Sequence, residues 1–174
     1  MMHPITVRPE AAADARAIDV VHISAFGGEA EARLISALRE SSAYNRELSL
    51  VAELNGRIVG HVLLTRAALR REGDEKNVLV LGPMSVVPSQ SHRGIGSELI
   101  RASVDLAREK GYGAIVVVGH PEYYQRFGFA PAKELQVSCN LPAPEDALTV
   151  MEIVAGILAG GGHVEYPEPF MELY

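Results

Sequence analysis

The sequence predicts an α/β (α+β) chain folded as a single domain, residues 1–174, and three stretches carry that expectation. An apolar run from Val78 to Val87 halts at Pro88, and a polar turn then opens a helical pattern at Gly94-Ile95-Gly96. Two apolar runs, Leu48–Leu54 and Arg57–Leu64, flank Asn55-Gly56, the dipeptide best suited to a hairpin turn whose two central residues need positive φ. Ile115-Val116-Val117-Val118 is a short continuous apolar run, the pattern of a strand buried on both faces beside a parallel neighbour.

Composition sets the outer bounds. The chain has 174 residues, 48% apolar and 22% charged, ordinary for a soluble globule with a substantial core. No run reaches the ~18 uninterrupted apolar residues of a membrane span. The N-terminus shows no basic segment followed by an apolar one, so no export signal is expected. The single cysteine, Cys139, forbids internal disulfides and fits a reducing cytoplasm. With no histidine beside it in sequence, Cys139 reads as a small apolar filler rather than a nucleophile. A net charge of −6 argues against a general nucleic-acid surface. A polyanionic ligand would therefore be held by local donors.

In chain order, Ile5–Arg8 alternates and is stopped by Pro9, a short strand. Glu10–Phe26 places Ala17, Ile18, Val21 and Ala25 at helical spacing. Gly27-Gly28 breaks that helix, and Glu29–Glu40 resumes one with Leu34, Ile35 and Leu38 inward. After the hairpin, Arg70–Asn77 reads as a charged loop, and Gly82-Pro83 as an interruption of the strand that follows. Glu98, Arg101, Asp105, Arg108 and Glu109 share one face of a helix closed by Gly111. Glu122–Phe127 reads as a short helical turn, and Leu148–Val154 as a late strand beyond the Pro-rich loop Leu141–Asp146. His61, in a nearly all-apolar strand, reads as a satisfied core residue.

The loop Pro88–Ser97 carries the chemistry. The first turn of a helix has backbone N–H groups without intrahelical acceptors and a partial positive charge. Glycines there let the main chain approach an anion closely, and Arg93 adds a cation. The stretch reads as a pyrophosphate cradle. It is not the G-x-G-x-x-G dinucleotide fingerprint, because residue 99 is Leu, and it is not a P-loop, because no G-K-[ST] follows.

Val86-x-Pro88, followed by Ser91-x-x-Gly94-x-Gly96, resembles the acetyl-CoA loop of the GNAT N-acetyltransferase superfamily, with Ser91 where that family usually has Gln or Arg. The string His120-Pro121-Glu122-Tyr123-Tyr124-Gln125-Arg126-Phe127-Gly128-Phe129 strengthens the resemblance and is similar to the YhbS-like bacterial branch. So are Val51-Ala52-Glu53, Gly60-His61-Val62 and Val164-Glu165-Tyr166-Pro167. The resemblance implies a GNAT fold, a mixed and mostly antiparallel sheet splayed between its fourth and fifth strands, with helices on both faces. It implies that Met84, Ser85 and Val86 line the strand that pairs with the pantetheine arm. By the same resemblance, His92, Arg93, Gly94, Ile95, Gly96 and Ser97 surround the pyrophosphate, and Tyr124 serves the departing thiolate. The loop around Gly27-Gly28 would form one wall of the acceptor site, and the Val164–Pro167 segment would join the sheet.

The implied reaction is attack of an amine on a thioester. It needs a held thioester, a donor to the oxyanion, a route for the amine proton and an acid for the sulfur. No base is assigned: Glu53, His22, His120, His163 and a water relay stay open. A non-catalytic acyl-CoA sensor built on the same cradle is the alternative reading. The expected partners are acetyl-CoA and an amine acceptor, with a homodimer open and no nucleic acid, membrane or metal. The expected location is cytoplasmic.

Overall fold

In the computed structural model of the chain, which describes residues 4–174, Asn55 and Gly56 take φ of 52° and 75° and form the expected tight hairpin. It joins β2 (Ser49–Leu54) to β3 (Arg57–Arg71) in antiparallel register, with Leu54 opposite Arg57 and Ser49 opposite Leu63. The chain forms two compact units. The first takes the residues up to Leu64 and Pro83–Ser103, and the second takes Thr65–Gly82 and Val104–Tyr174.

In the first unit β1 (Thr6–Pro9) pairs antiparallel with β2. The expected helix from Glu10 starts later than its pattern suggests, because Asp14 is drawn into a local turn. Its carboxylate accepts from the Ala11 N–H at 2.7 Å and from Arg8 at 2.8 Å, so Ala12–Asp14 form a 3-10 turn. Helix α1 (Ala15–Phe26) follows and ends at Gly27 with φ 76°, and α2 (Ala30–Arg39) resumes beyond the glycines. Ile18, Val21, Leu34, Ile35 and Leu38 are buried, the inward set that helical spacing selects.

Adjacent strand residues face opposite sides of a sheet, and β3 uses this at residues 60 and 61. A Cβ on Gly60 would lie 3.1 Å from Ile95 and 3.2 Å from Leu99, so helix α3 (Ile95–Glu109) packs closely there and an added side chain would press it outward by a few tenths of an ångström. His61 faces the other side, where its ring meets His22 of α1. The first unit therefore has a helix on each face of its strands.

The second unit corrects the charged-loop expectation. Strand β3 runs to Arg71, Glu72-Gly73 makes a tight turn, and β4 (Asp74–Val86) begins at once. The charges sit on strands and pair across them, Arg70 with Glu75 at 3.5 Å and Arg71 with Asp74 at 3.3 Å. Strand β4 also passes through Gly82-Pro83 without stopping, Gly82 taking φ 139°. Tyr112 N–H returns to the Ala107 carbonyl at 2.9 Å behind Gly111, the expected helix stop.

Strand β5 (Ala114–Val118) is parallel to β4 over two pairs only, Leu79–Ile115 and Val80–Val116, and antiparallel to β8 (Leu148–Glu152) along its whole length. That short ladder is the splay between the fourth and fifth strands. Strand β8 ends two residues early because the Ile153 and Val154 amides both turn to the Gly113 carbonyl. Two very short strands, β6 (Ala130–Pro131) and β7 (Val137–Cys139), lack the length for a sequence pattern. Helix α4 (Pro121–Gln125) precedes them. Strand β9 (Gly162–Glu165) pairs antiparallel with β3 and parallel with β7, so Val164 and Glu165 of the expected Val164–Pro167 stretch join the sheet, while Tyr166 and Pro167 lie just beyond the strand. No helix among the described residues is long and apolar enough to cross a membrane.

Candidate functional site

The loop after β4 belongs to the first unit. Val87 N–H donates to the Val59 carbonyl at 2.8 Å, which fixes the point where the chain leaves the sheet. Pro88–Gln90 make a 3-10 turn, and the Ser91 hydroxyl donates back to the Pro88 carbonyl at 2.9 Å. Ser91 thus tightens the turn from within. His92 and Gly94 are both left-handed, at φ 66° and 76°, with Arg93 between them at negative φ. Such alternation curls successive N–H groups toward one point and makes an anion-binding concavity.

Glu98 N–H donates to the Gly94 carbonyl at 3.1 Å, the first bond of α3. The amides of Ile95, Gly96 and Ser97 therefore have no acceptor within the helix. His92, Arg93 and Gly94 are exposed, Gly96 and Ser97 half-buried, and the Ile95 side chain is buried against Gly60. A Cβ at Gly94 would meet nothing within 4 Å, so open space lies over the turn. This donor set fits a pyrophosphate.

On β4, Met84 and Val86 are half-buried while Ser85 is buried. Behind Ser85 runs a chain of buried polar side chains within the same unit. Ser85 Oγ lies 2.7 Å from His22 Nδ1, His22 Nε2 lies 2.8 Å from His61 Nδ1, and His61 Nε2 lies 2.7 Å from Ser49 Oγ. The Ser49 hydroxyl donates to Glu10, whose carboxylate also accepts from Tyr44 at 2.8 Å and Arg39 at 3.0 Å. Burial, helped by the Arg39 charge, pushes His22 down to about 4. Burial, then His22 and Arg39, holds His61 well below the ordinary imidazole value. Both rings are neutral at pH 7.

Sequence reasoning placed His61 in the core but did not join these groups. They come from five distant stretches, and their only common signal is a polar residue inside an apolar pattern. The other base candidates lie elsewhere. Glu53 accepts from Arg8 at 2.8 Å, His120 is exposed ahead of α4, and His163 faces Ser138 at 2.9 Å. A cavity of about 320 Å³ between α1 and α2 is lined by Asp19, Ile23, Glu29, Ala32, Arg33 and Ser36.

Tyr124 belongs to the second unit. It is buried on α4, its ring edge-on to Tyr123 at 5.3 Å and to Phe129 at 5.7 Å. Burial, then the neighbouring phenols Tyr123 and Tyr174, holds Tyr124 well above the ordinary phenol value, so it keeps its proton. Tyr123 is half-buried, stacks edge-on against Phe127 and carries Arg126 over its ring at 5.6 Å. Cys139 is half-buried, and burial pushes its thiol up, which suits an unreactive filler.

The sequence model of the acetyltransferase (GNAT) family matches residues 18–129. The chain is 34% identical over 172 residues to the uncharacterized N-acetyltransferase YjhQ of Escherichia coli K12, covering 97% of this chain and 95% of that protein. Among solved structures it is similar to the GNAT N-acetyltransferase YhbS of Escherichia coli in complex with CoA. That likeness has a TM-score of 0.88 and 31% identity, over 98% of this chain and 93% of the other. A GNAT acetyltransferase of Brucella melitensis in complex with acetyl-CoA matches with a TM-score of 0.78 and 30% identity, over 97% and 99% of the two chains.

Proposed function

Since this chain belongs to the acetyltransferase (GNAT) family and is an N-acetyltransferase, we propose that it transfers an acetyl group from acetyl-CoA to a primary amine of a small-molecule or protein acceptor, by direct attack on the thioester. The observation that carries this reading is the left-handed pair His92 and Gly94 opening α3 in front of three amides with no intrahelical acceptor. His92, Arg93, Gly94, Ile95, Gly96 and Ser97 surround the pyrophosphate, mostly through main-chain donors. Met84, Ser85 and Val86 offer the β4 backbone to the pantetheine arm and one N–H to the thioester carbonyl, where charge develops as the amine attacks. Tyr124, held protonated by burial, donates to the departing thiolate. The reaction takes place in the cytoplasm and needs no metal.

Purified full-length chain with acetyl-CoA, presented with a panel of primary amines and read by free-thiol release, tests the proposal. Amine-dependent thiol release is expected. Tight CoA binding with no thiol release for any amine class would overturn the amine-acceptor reading.

A further inference from the structure

Five polar side chains in the first unit form one continuous hydrogen-bonded file, and its internal logic allows a single direction. Glu10 faces the Arg39 guanidinium and, as a carboxylate, only accepts. Tyr44, whose phenol burial pushes up to about 12, donates to it. Ser49 therefore donates to Glu10 and must accept from the His61 Nε2–H. His61 is neutral, so its Nδ1 accepts from the His22 Nε2–H, and His22 Nδ1 in turn accepts from the Ser85 hydroxyl. Reversing the order would set a Ser49 lone pair against the carboxylate. Every proton in the file points toward Glu10, and the Ser85 oxygen keeps its lone pairs for a donor from outside.

We propose that this file is the proton route of the acetyl transfer, entered at Ser85 Oγ by the proton of the attacking amine and ending on the Glu10 carboxylate. It rests on the proposed site reading, in which β4 around Ser85 flanks the thioester. The nitrogen–hydrogen bond of the attacking amine breaks as Ser85 Oγ gains that proton, and Ser85 passes its own to His22 Nδ1. His22 Nε2 releases its proton to His61 Nδ1, His61 Nε2 releases its proton to Ser49, and Ser49 passes one to Glu10. Each imidazole ends as its other neutral tautomer and the serines are unchanged. Only the amine and Glu10 change charge, and the file resets when the proton runs back along it and leaves for water from Ser85 after the products depart.

Two features distinguish a route from mere core filling. The interior members His22, His61 and Ser49 are all 0% exposed, while the two ends keep some exposure, Ser85 8% and Glu10 5%, so the file is sealed along its length and reaches outward at its ends. Apolar residues of similar volume would fill the same space without the cost of desolvating five polar groups.

Three measurements test the route. Nitrogen-15 NMR of the full chain should find His22 and His61 as neutral Nε2–H tautomers between pH 6 and 8. An Nδ1–H tautomer for either would reverse the file and overturn the proposal. His22→Gln keeps an amide donor toward His61 and an acceptor toward Ser85 but passes no proton. It should lower kcat by roughly a hundredfold, steepen the dependence of kcat on pH, and leave the KM for acetyl-CoA within about twofold. Ser49→Ala cuts the file remote from the thioester and should do the same, whereas Ser85→Thr, which keeps a hydroxyl, should restore what Ser85→Ala loses. Folded His22→Gln with wild-type kcat and pH profile would overturn the route while leaving the site reading intact. Failure of the wild-type chain to bind CoA in calorimetry would instead overturn the site reading and the route with it.

Discussion

His22 Nε2 and His61 Nδ1 stand 2.8 Å apart in the core, with the two rings nearly perpendicular. Two imidazoles at that distance share one proton, because protonating both would set N–H against N–H. The pair therefore ties the stability of the fold to pH.

An unfolded imidazole titrates near 6.5, whereas folded His22 sits at about 4. Between those values the unfolded chain binds more protons than the folded one, so stability falls as pH drops through the window and is complete above it. For His22 alone the loss amounts to about 3 kcal/mol by pH 4, and His61 adds in the same direction. The groups that face His22 are Ser85 from β4, His61 from β3, Arg39 from α2 and Phe26 from its own helix, with Glu10 farther along the file. Urea unfolding at pH 5 and pH 7.5 should give a steep slope for the wild-type chain. The double variant His22→Gln, His61→Gln should give a shallower one, and equal slopes would show that the pair does not set the acid limit.

The cradle makes a separate claim on binding. Gly94 holds φ 76° beneath open space. Gly94→Val would strain the turn by about 1–3 kcal/mol and fill the space an anion needs. CoA affinity should fall at least tenfold, about 1.4 kcal/mol, with the far-UV spectrum unchanged. Arg93→Ala should weaken binding less, and mainly at low salt, since the exposed side chain is screened. Calorimetry of both variants at two ionic strengths checks this, and unchanged affinity in Gly94→Val would remove the loop from the binding site.

The legible parts of this chain are those set by local rules. Asn55-Gly56 demanded a left-handed pair and obtained it, Gly27 and Gly111 stopped their helices, and Pro88 closed β4 ahead of a glycine-opened helix. Local rules failed where tertiary pairing overrode them. Arg70, Arg71, Asp74 and Glu75 have a loop-like composition, yet cross-strand ion pairs hold them in a hairpin. β6 and β7 are too short for any period to show. The file from Ser85 to Glu10 was the least legible feature, because its members lie up to 75 residues apart in sequence and meet only through the packing of α1 on β2, β3 and β4. The Ser91 departure has a three-dimensional reason, since its hydroxyl closes the turn on the Pro88 carbonyl.

Tyr123 and Tyr124 allow the proposed acid to be told from packing. Neighbours on a helix point roughly 100° apart, and here they differ in kind. Tyr124 is buried against Phe129, while Tyr123 is half-buried beneath Arg126. A phenol kept protonated by burial can donate to a leaving thiolate at any working pH. Tyr124→Phe removes that donor and keeps the ring contacts with Tyr123 and Phe129. Turnover should fall on the order of ten- to a thousandfold, with CoA affinity and melting nearly unchanged. Tyr123→Phe should leave turnover close to wild type, because its ring contacts with Phe127 and Arg126 survive loss of the hydroxyl. Steady-state kinetics on the two single variants decides the matter. Equal losses would assign the effect to packing of α4, and a larger loss at position 123 would transfer the acid to Tyr123.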